Sequence, residues 1–192
     1  MNFWYRLFYI LAAPFICLFY PFRVSGRENI PEDACVICAN HSGLLDPCFA
    51  AIAFGIKRHI YFMAKSEFFN NFFLKHVFNA AGVFPVSREE TDITAIRIAM
   101  KHLKNNDKIM IFPEGSRVTE VNVNAGKEGA VRIASKMKAP VLPVYITTVK
   151  KMFRFSKLII GKPYIIDPPH DKNFAPASVE LMEKIYSLEP TN

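Results

Sequence analysis

Along the chain, short apolar runs alternate with stretches whose apolar positions recur every three or four residues. The short runs are ACVICA (34–39), HIYFMA (59–64), VFPVS (83–87), KIMIF (108–112), VLPVYITT (141–148) and a pair around LIIGKPYII (158–166). Each has strand length and strand composition. Helical spacing covers residues 47–54, 67–80, 93–103, 130–137 and 179–188. This interleaving predicts an α/β fold, a central mostly parallel or mixed β-sheet flanked by helices. No internal repeat, long linker or low-complexity tract interrupts it, so residues 23–192 are expected to form one domain.

Ahead of this pattern stands FWYRLFYILAAPFICLFYPF, residues 3–22, with Arg6 as its one charge and nine aromatic residues. Fully helical, it would reach about 30 Å, the thickness of a bilayer core. Pro14 and Pro21 would each kink such a helix, so a bent or half-inserted anchor competes with a straight span. A core helix of the domain is the alternative. A secretory signal fits poorly, because no small-residue cleavage site closes the segment before Arg23. Residues 1–22 are therefore expected to be an N-terminal hydrophobic, membrane-associated helix.

Composition narrows the partners. The chain has 192 residues and a formal net charge of +7, which favours anionic partners: nucleic acid, phosphorylated metabolites or a negative membrane face. Cys17, Cys35, Cys38 and Cys48 all sit in apolar surroundings, as reduced core thiols in a cytosol-facing protein would. Cys35 and Cys38 lie three apart in a strand, so they point to opposite faces and make a poor metal pair. No metal site is expected.

The first candidate chemistry is NHSGLLDP, Asn40 to Pro47. On one helix, His41 and Asp46 would diverge by about 140° around the axis. They meet only if a loop separates strand from helix, and Asp46-Pro47 reads as a helix N-cap followed by proline at the first helical position. His41 would then stand at a strand end facing a helix N-terminus. An ionised aspartate there orients one ring nitrogen and leaves the other as a base. The plainer reading is a capping aspartate beside a loop histidine, since isolated pairs of this spacing are common.

Two further loops change that balance. IFPEGSR (111–117) follows a strand with a turn that gathers backbone N–H groups, a carboxylate and a guanidinium. GVFPVSRE (82–89) ends a strand on Arg88, whose fork suits phosphate oxygens. In this order, NHSGLLDP, KSEFF, GVFPVSR, FPEGSR and APVLPV resemble the glycerophospholipid acyltransferases, specifically the 1-acylglycerol-3-phosphate acyltransferase family, over residues 24–166. Asn40, His41 and Asp46 match the first block, residues 82–88 the second, residues 112–117 the third, and Pro140 and Pro143 the fourth. Lys65 and Glu67 match a Lys-x-Glu-Leu element with Phe68 in place of leucine, and GKEGA (126–130) looks like the segment that follows the third block.

The resemblance implies acyl transfer from a fatty acyl thioester, on coenzyme A or acyl carrier protein, to the sn-2 hydroxyl of lysophosphatidic acid, giving phosphatidic acid. No cofactor is implied, the acyl donor being a substrate. His41 is the expected base and Asp46 its orienting partner. Arg88, Glu114, Gly115, Ser116 and Arg117 are expected to bind the glycerol phosphate, and Lys65 to hold phosphate or an oxyanion. Membrane lipid is then the partner, with the catalytic domain at the cytoplasmic face. KKMFRFSK (150–157) and the phenylalanine-rich residues 66–78 fit contact with anionic lipid. Acyl transfer to another lysolipid or to glycerol 3-phosphate remains open, and so does a non-catalytic basic module for membrane or nucleic acid. No nucleic-acid motif is present, which disfavours that last partner.

Overall fold

The structure, a computed structural model, describes residues 3–87, 92–118 and 120–190. Its strands are β1 (Phe22–Ser25), β2 (Val36–Ala39), β3 (Ile60–Lys65), β4 (Val83–Val86), β5 (Lys108–Ile111), β6 (Val141–Ile146) and β7 (Ser156–Ile160). They form one sheet in the order β1-β7-β6-β2-β5-β3-β4. Each neighbouring pair is parallel except β6 and β7, so the sheet is mixed. The helices are α1 (Phe3–Phe19), α2 (Asp46–Phe54), α3 (Phe72–Ala81), α4 (Ile93–Lys104), α5 (Gly129–Met137) and α6 (Ala175–Tyr186).

Two apolar cores flank the sheet. Cys35, Ile37 and Ala39 pack with Phe49 and Phe54 of α2 on one face, joined by Ile16 of α1 and Tyr20 just after it. Val36 and Cys38 pack on the other with Ala99 of α4, Val131 of α5 and Leu181 of α6. A strand covered on both faces needs apolar residues at every position, and this is why ACVICA is continuous rather than alternating. It also sends Cys35 and Cys38 into opposite cores.

Three expectations change. The pair around residues 158–166 is one strand, β7, followed by a single bridge between Val141 and Tyr164; Pro163, with no N–H, cannot extend a ladder. The helix expected over 67–80 is split into a 3-10 turn, Ser66–Phe69, and α3. Asn70 and Asn71, poor helix residues, occupy the break, where Asn70 N–H donates to Glu67 O at 3.2 Å. Finally, Phe22 pairs in register with Ser156, so the boundary drawn after residue 22 falls inside β1. The apolar alternation of this short strand is hidden by the apolar run before it.

Helix α1 has 17 residues with Pro14 inside it, and no helix among the described residues is long and apolar enough to cross a membrane. Its inner side is tied to the domain: Tyr5 and Ala13 are buried, the Tyr5 ring lies 4.1 Å from that of His59, and Tyr9 OH donates to Ile52 O at 3.3 Å. Its outer side leaves Phe3, Ile10, Leu11, Phe15 and Leu18 exposed.

Because β2 to β6 run parallel, the loops that follow them gather along one edge of the sheet, where open α/β sheets bind ligands. Motifs spread over a hundred residues of sequence thereby become neighbours.

Candidate active site

The site begins where β2 stops. The buried Asn40 side chain donates to Ile146 O at 2.8 Å and accepts from Ile146 N–H at 2.7 Å, pinning the loop to the end of β6. An amide with one donor and one acceptor used in this way imitates a further rung of the ladder. His41 follows. Its N–H donates to Glu114 Oε2 at 2.6 Å, and its ring stacks on Phe112 with centroids 4.2 Å apart. Val118 N–H in turn donates to His41 O at 2.9 Å, so the turn after β5 grips His41 from both backbone sides.

His41 Nδ1 is 2.9 Å from Asp46 Oδ2. Asp46 is fully buried, and the same oxygen accepts from the N–H groups of Ser42 and Gly43, each at 2.8 Å. Its other oxygen, Oδ1, forms an ion pair with Lys150 Nζ at 2.6 Å. Burial pushes the Asp46 pKa up, but the His41 hydrogen bond, the Lys150 charge and the Gly43 N–H together outweigh it and hold the carboxyl below its ordinary value. An ionised carboxylate only accepts, so Nδ1 carries a proton, and in the neutral ring Nε2 then presents a lone pair.

The capping expectation for Asp46 is corrected by this geometry. Asp46 is the first residue of α2, Leu45 stands at the N-cap, and the carboxylate turns back to the loop N–H groups instead of onto its own helix. Pro47 still occupies the start of the helix, where a missing N–H costs nothing.

The turn after β5 places the next group. Glu114 is buried, with Oε1 accepting from Tyr186 OH at 2.5 Å and Oε2 from His41 N–H. Burial raises its pKa against those two hydrogen bonds. Gly115 adopts φ 71°, and a Cβ there would lie 2.8 Å from Lys127 Cε, so the Lys127 side chain crosses the glycine. Ser116 and Arg117 are exposed beside it. A cavity of about 510 Å³ opens here, bordered by Phe112, Gly115, Lys127, Ser87, Asp92 and Ile96. Phe112 thus touches the histidine on one side and the cavity on the other.

The remaining expected residues lie further out. Lys65 ends β3 and pairs with Glu67 at 2.6 Å on the surface. Such exposed pairs are weak and easily exchanged for a ligand. Arg88 lies outside the described residues; the chain up to it is fixed by Ser87 N–H, which donates to Asp92 Oδ2 at 2.8 Å. Lys150, which opens the KKMFRFSK stretch expected at anionic lipid, is instead turned inward onto Asp46, and Tyr186, which belongs to no motif, holds Glu114. Only their position in the fold, not their spacing, marks them.

A family model described as Acyltransferase matches residues 21–147. The 1-acyl-sn-glycerol-3-phosphate acyltransferase of Bacillus subtilis (strain 168) is 33% identical over 177 residues, covering 87% of this chain and 87% of that protein. A protein of the same name from Streptococcus pneumoniae is 36% identical over 125 residues, covering 64% of this chain and 46% of its own. The crystal structure of the 1-acyl-sn-glycerophosphate (LPA) acyltransferase PlsC from Thermotoga maritima is similar with a TM-score of 0.72 at 25% identity, over 98% of this chain and 79% of that one. The family model spans the His41 loop, the turn after β5 and the strands that bring them together, and the chain belongs to the acyltransferase family.

Proposed function

We propose that this acyltransferase moves a fatty acyl group from a thioester of coenzyme A or acyl carrier protein to the free sn-2 hydroxyl of 1-acylglycerol 3-phosphate, forming phosphatidic acid. The relatives from Bacillus subtilis and Streptococcus pneumoniae are named for acyl transfer with 1-acyl-sn-glycerol 3-phosphate. The observation that carries the reading is the His41–Asp46 pair, with Nδ1 engaged by the carboxylate and the ring stacked on Phe112, which borders the cavity. Nε2 takes the proton of the acceptor hydroxyl, and the alkoxide attacks the thioester carbonyl. The tetrahedral intermediate collapses, the C–S bond breaks, and the thiolate takes the proton back from the imidazolium. Asp46 stays ionised throughout. No acyl-enzyme is needed.

Arg117, Ser116, Gly115 and Arg88 are the proposed glycerol-phosphate ligands, with Lys65 a further cation at the same sheet edge. Glu114 belongs to the set through what it holds: its oxygens are spent on Tyr186 and on His41 N–H, so it sets the height of the histidine. Incubating the purified protein with a labelled acyl thioester and a panel of lysolipids and glycerol 3-phosphate tests the acceptor. Phosphatidic acid as the dominant product supports the reading; preference for another acceptor replaces it. In the same assay, Arg88→Lys or Arg117→Lys is expected to raise KM for the phosphorylated acceptor about tenfold and leave the donor KM unchanged, because lysine keeps the charge and loses the fork. Equal rises for both substrates would make the arginines structural.

The N-terminal segment, expected over residues 1–22 and ending ahead of β1, is proposed as the membrane-associated part of the chain, with the site of the acyltransferase domain at the cytoplasmic face. The exposed side of α1 supports this, as do Met152, Phe153 and Phe155 beside it; Phe153 N–H donates to Phe19 O at 2.7 Å. The four cysteines are free thiols, in keeping with a reducing compartment. Deleting the segment would also strip Tyr5 and Phe22 from their packing, so substitution is the cleaner test. Replacing Ile10, Leu11, Phe15 and Leu18 together by serine is expected to release most of the protein from anionic vesicles in sedimentation, with unfolding unchanged. Residual binding should fall with salt, as attraction by the net charge of +7 would. Unaltered sedimentation would remove α1 from the membrane contact.

A further inference from the structure

Lys150 turns inward from an outward-facing stretch. Its side chain is 7% exposed, while Val149, Met152, Phe153 and Phe155 around it are largely exposed. A lysine ammonium leaves water only where its charge and its protons are met. Here Nζ lies 2.6 Å from Asp46 Oδ1 and donates to Ser42 Oγ at 2.8 Å, and its stem runs against Gly43. The lysine therefore contacts Ser42 and Gly43, next to His41, and the carboxylate that this loop wraps. It comes from the connection between β6 and β7, just beyond the span of the family match.

We propose that Lys150 is a positioning residue of the acyl-transfer site, holding Asp46 Oδ1 so that Oδ2 faces His41 Nδ1 and balancing the charge of the carboxylate. This rests on the reading of His41 as the base. The carboxylate has two oxygens and one must aim at the imidazole; backbone N–H groups of Ser42 and Gly43 hold Oδ2 and Lys150 holds Oδ1, so removing the lysine removes the ion pair that fixes the second corner. Charge matters as well. With neutral His41, the trio His41, Asp46 and Lys150 carries no net charge. Removing the lysine leaves a buried negative charge against the imidazole, which favours a protonated ring that can no longer act as a base. The other titratable groups facing the pair are Glu114 on the turn after β5 and Cys48 on α2, and neither supplies a positive charge in its place.

The test uses the full chain with Lys150→Met, Lys150→Gln and His41→Ala, assayed with acyl-CoA and 1-acylglycerol 3-phosphate from about pH 5 to 9, beside thermal unfolding. Lys150→Met is expected to lower kcat on the order of 10²-fold, the cost of a small misplacement at a reacting centre, with KM for both substrates within about twofold. Its acid limb should move to higher pH by about one unit. Lys150→Gln, which keeps a donor without the charge, should retain more kcat than the methionine variant and show the same shift of the acid limb; it also serves where the methionine variant folds poorly. Near wild-type kcat with an unmoved acid limb overturns the proposal. A rise in KM confined to the phosphorylated acceptor overturns it too, by making Lys150 a phosphate ligand. An active His41→Ala variant would instead defeat the reading of the base, whereas an inactive one beside normal Lys150 variants defeats this inference alone.

Discussion

His41→Ala is expected to lower kcat on the order of 10⁴-fold while the protein unfolds at nearly its usual temperature. Both halves follow from where the ring sits. Nε2 is the only nitrogen of the pair left to accept a proton, because Nδ1 is committed to Asp46, and no other imidazole lies in this loop to replace it. The structural cost is small by comparison. Phe112 loses a stacking partner, but Asp46 keeps Ser42 N–H, Gly43 N–H and Lys150, and the alanine backbone still donates to Glu114 and accepts from Val118. The KM values of donor and acceptor should stay close to normal, since the base enters only in the transition state. Steady-state kinetics with calorimetry on the same preparation decide the matter. Turnover near the wild-type value would end the mechanism, and a parallel collapse of unfolding temperature would reassign His41 to structure.

How far the sequence alone reaches depends on distance along the chain. The strands and helices are local patterns, and so is the five-residue step from His41 to Asp46; a break between strand and helix was required for them to meet, and the break is there. What lies across the fold leaves no such trace. Asn40 meets Ile146 at a separation of 106 residues, Ser42 meets Lys150 at 108, and Glu114 meets Tyr186 at 72. Periodicity says which face a residue occupies, not which residue from another strand will stand opposite. Lys150 illustrates the loss: in KKMFRFSK it is one cation among four, and only the packing of the β6–β7 connection against the His41 loop turns it inward. Asp46 illustrates the converse. Its place before Pro47 pointed to a cap, yet the N–H groups that it accepts from precede it.

That correction sets the second large effect, Asp46→Asn. The rate should fall on the order of 10⁴-fold: an amide carries no charge to stabilise the imidazolium formed when Nε2 takes the proton, and where its NH2 turns to Nδ1 it forces the proton onto Nε2 and removes the base. A capping aspartate would also have tolerated asparagine with little change in stability. The buried pair with Lys150 does not. Lys150 would keep its hydrogen bond to Ser42 Oγ and lose its counter-charge, a cost of about 3 kcal/mol, or roughly 6–12 °C in Tm for a chain of this size. The pH dependence has a definite sign. The Asp46 carboxyl is held below its ordinary value in the fold, so its contribution is complete above the unfolded pKa of about 3.9 and is lost as pH falls through the lower folded value. The stability gap between wild type and Asp46→Asn should therefore be widest near neutrality and close in acid. Adding Lys150→Met to Asp46→Asn removes the stranded charge, so the double variant should regain part of the stability and none of the rate. A double variant no more stable than Asp46→Asn alone would mean that the ion pair contributes nothing to folding, and that asparagine destabilises through the Ser42 and Gly43 N–H groups instead.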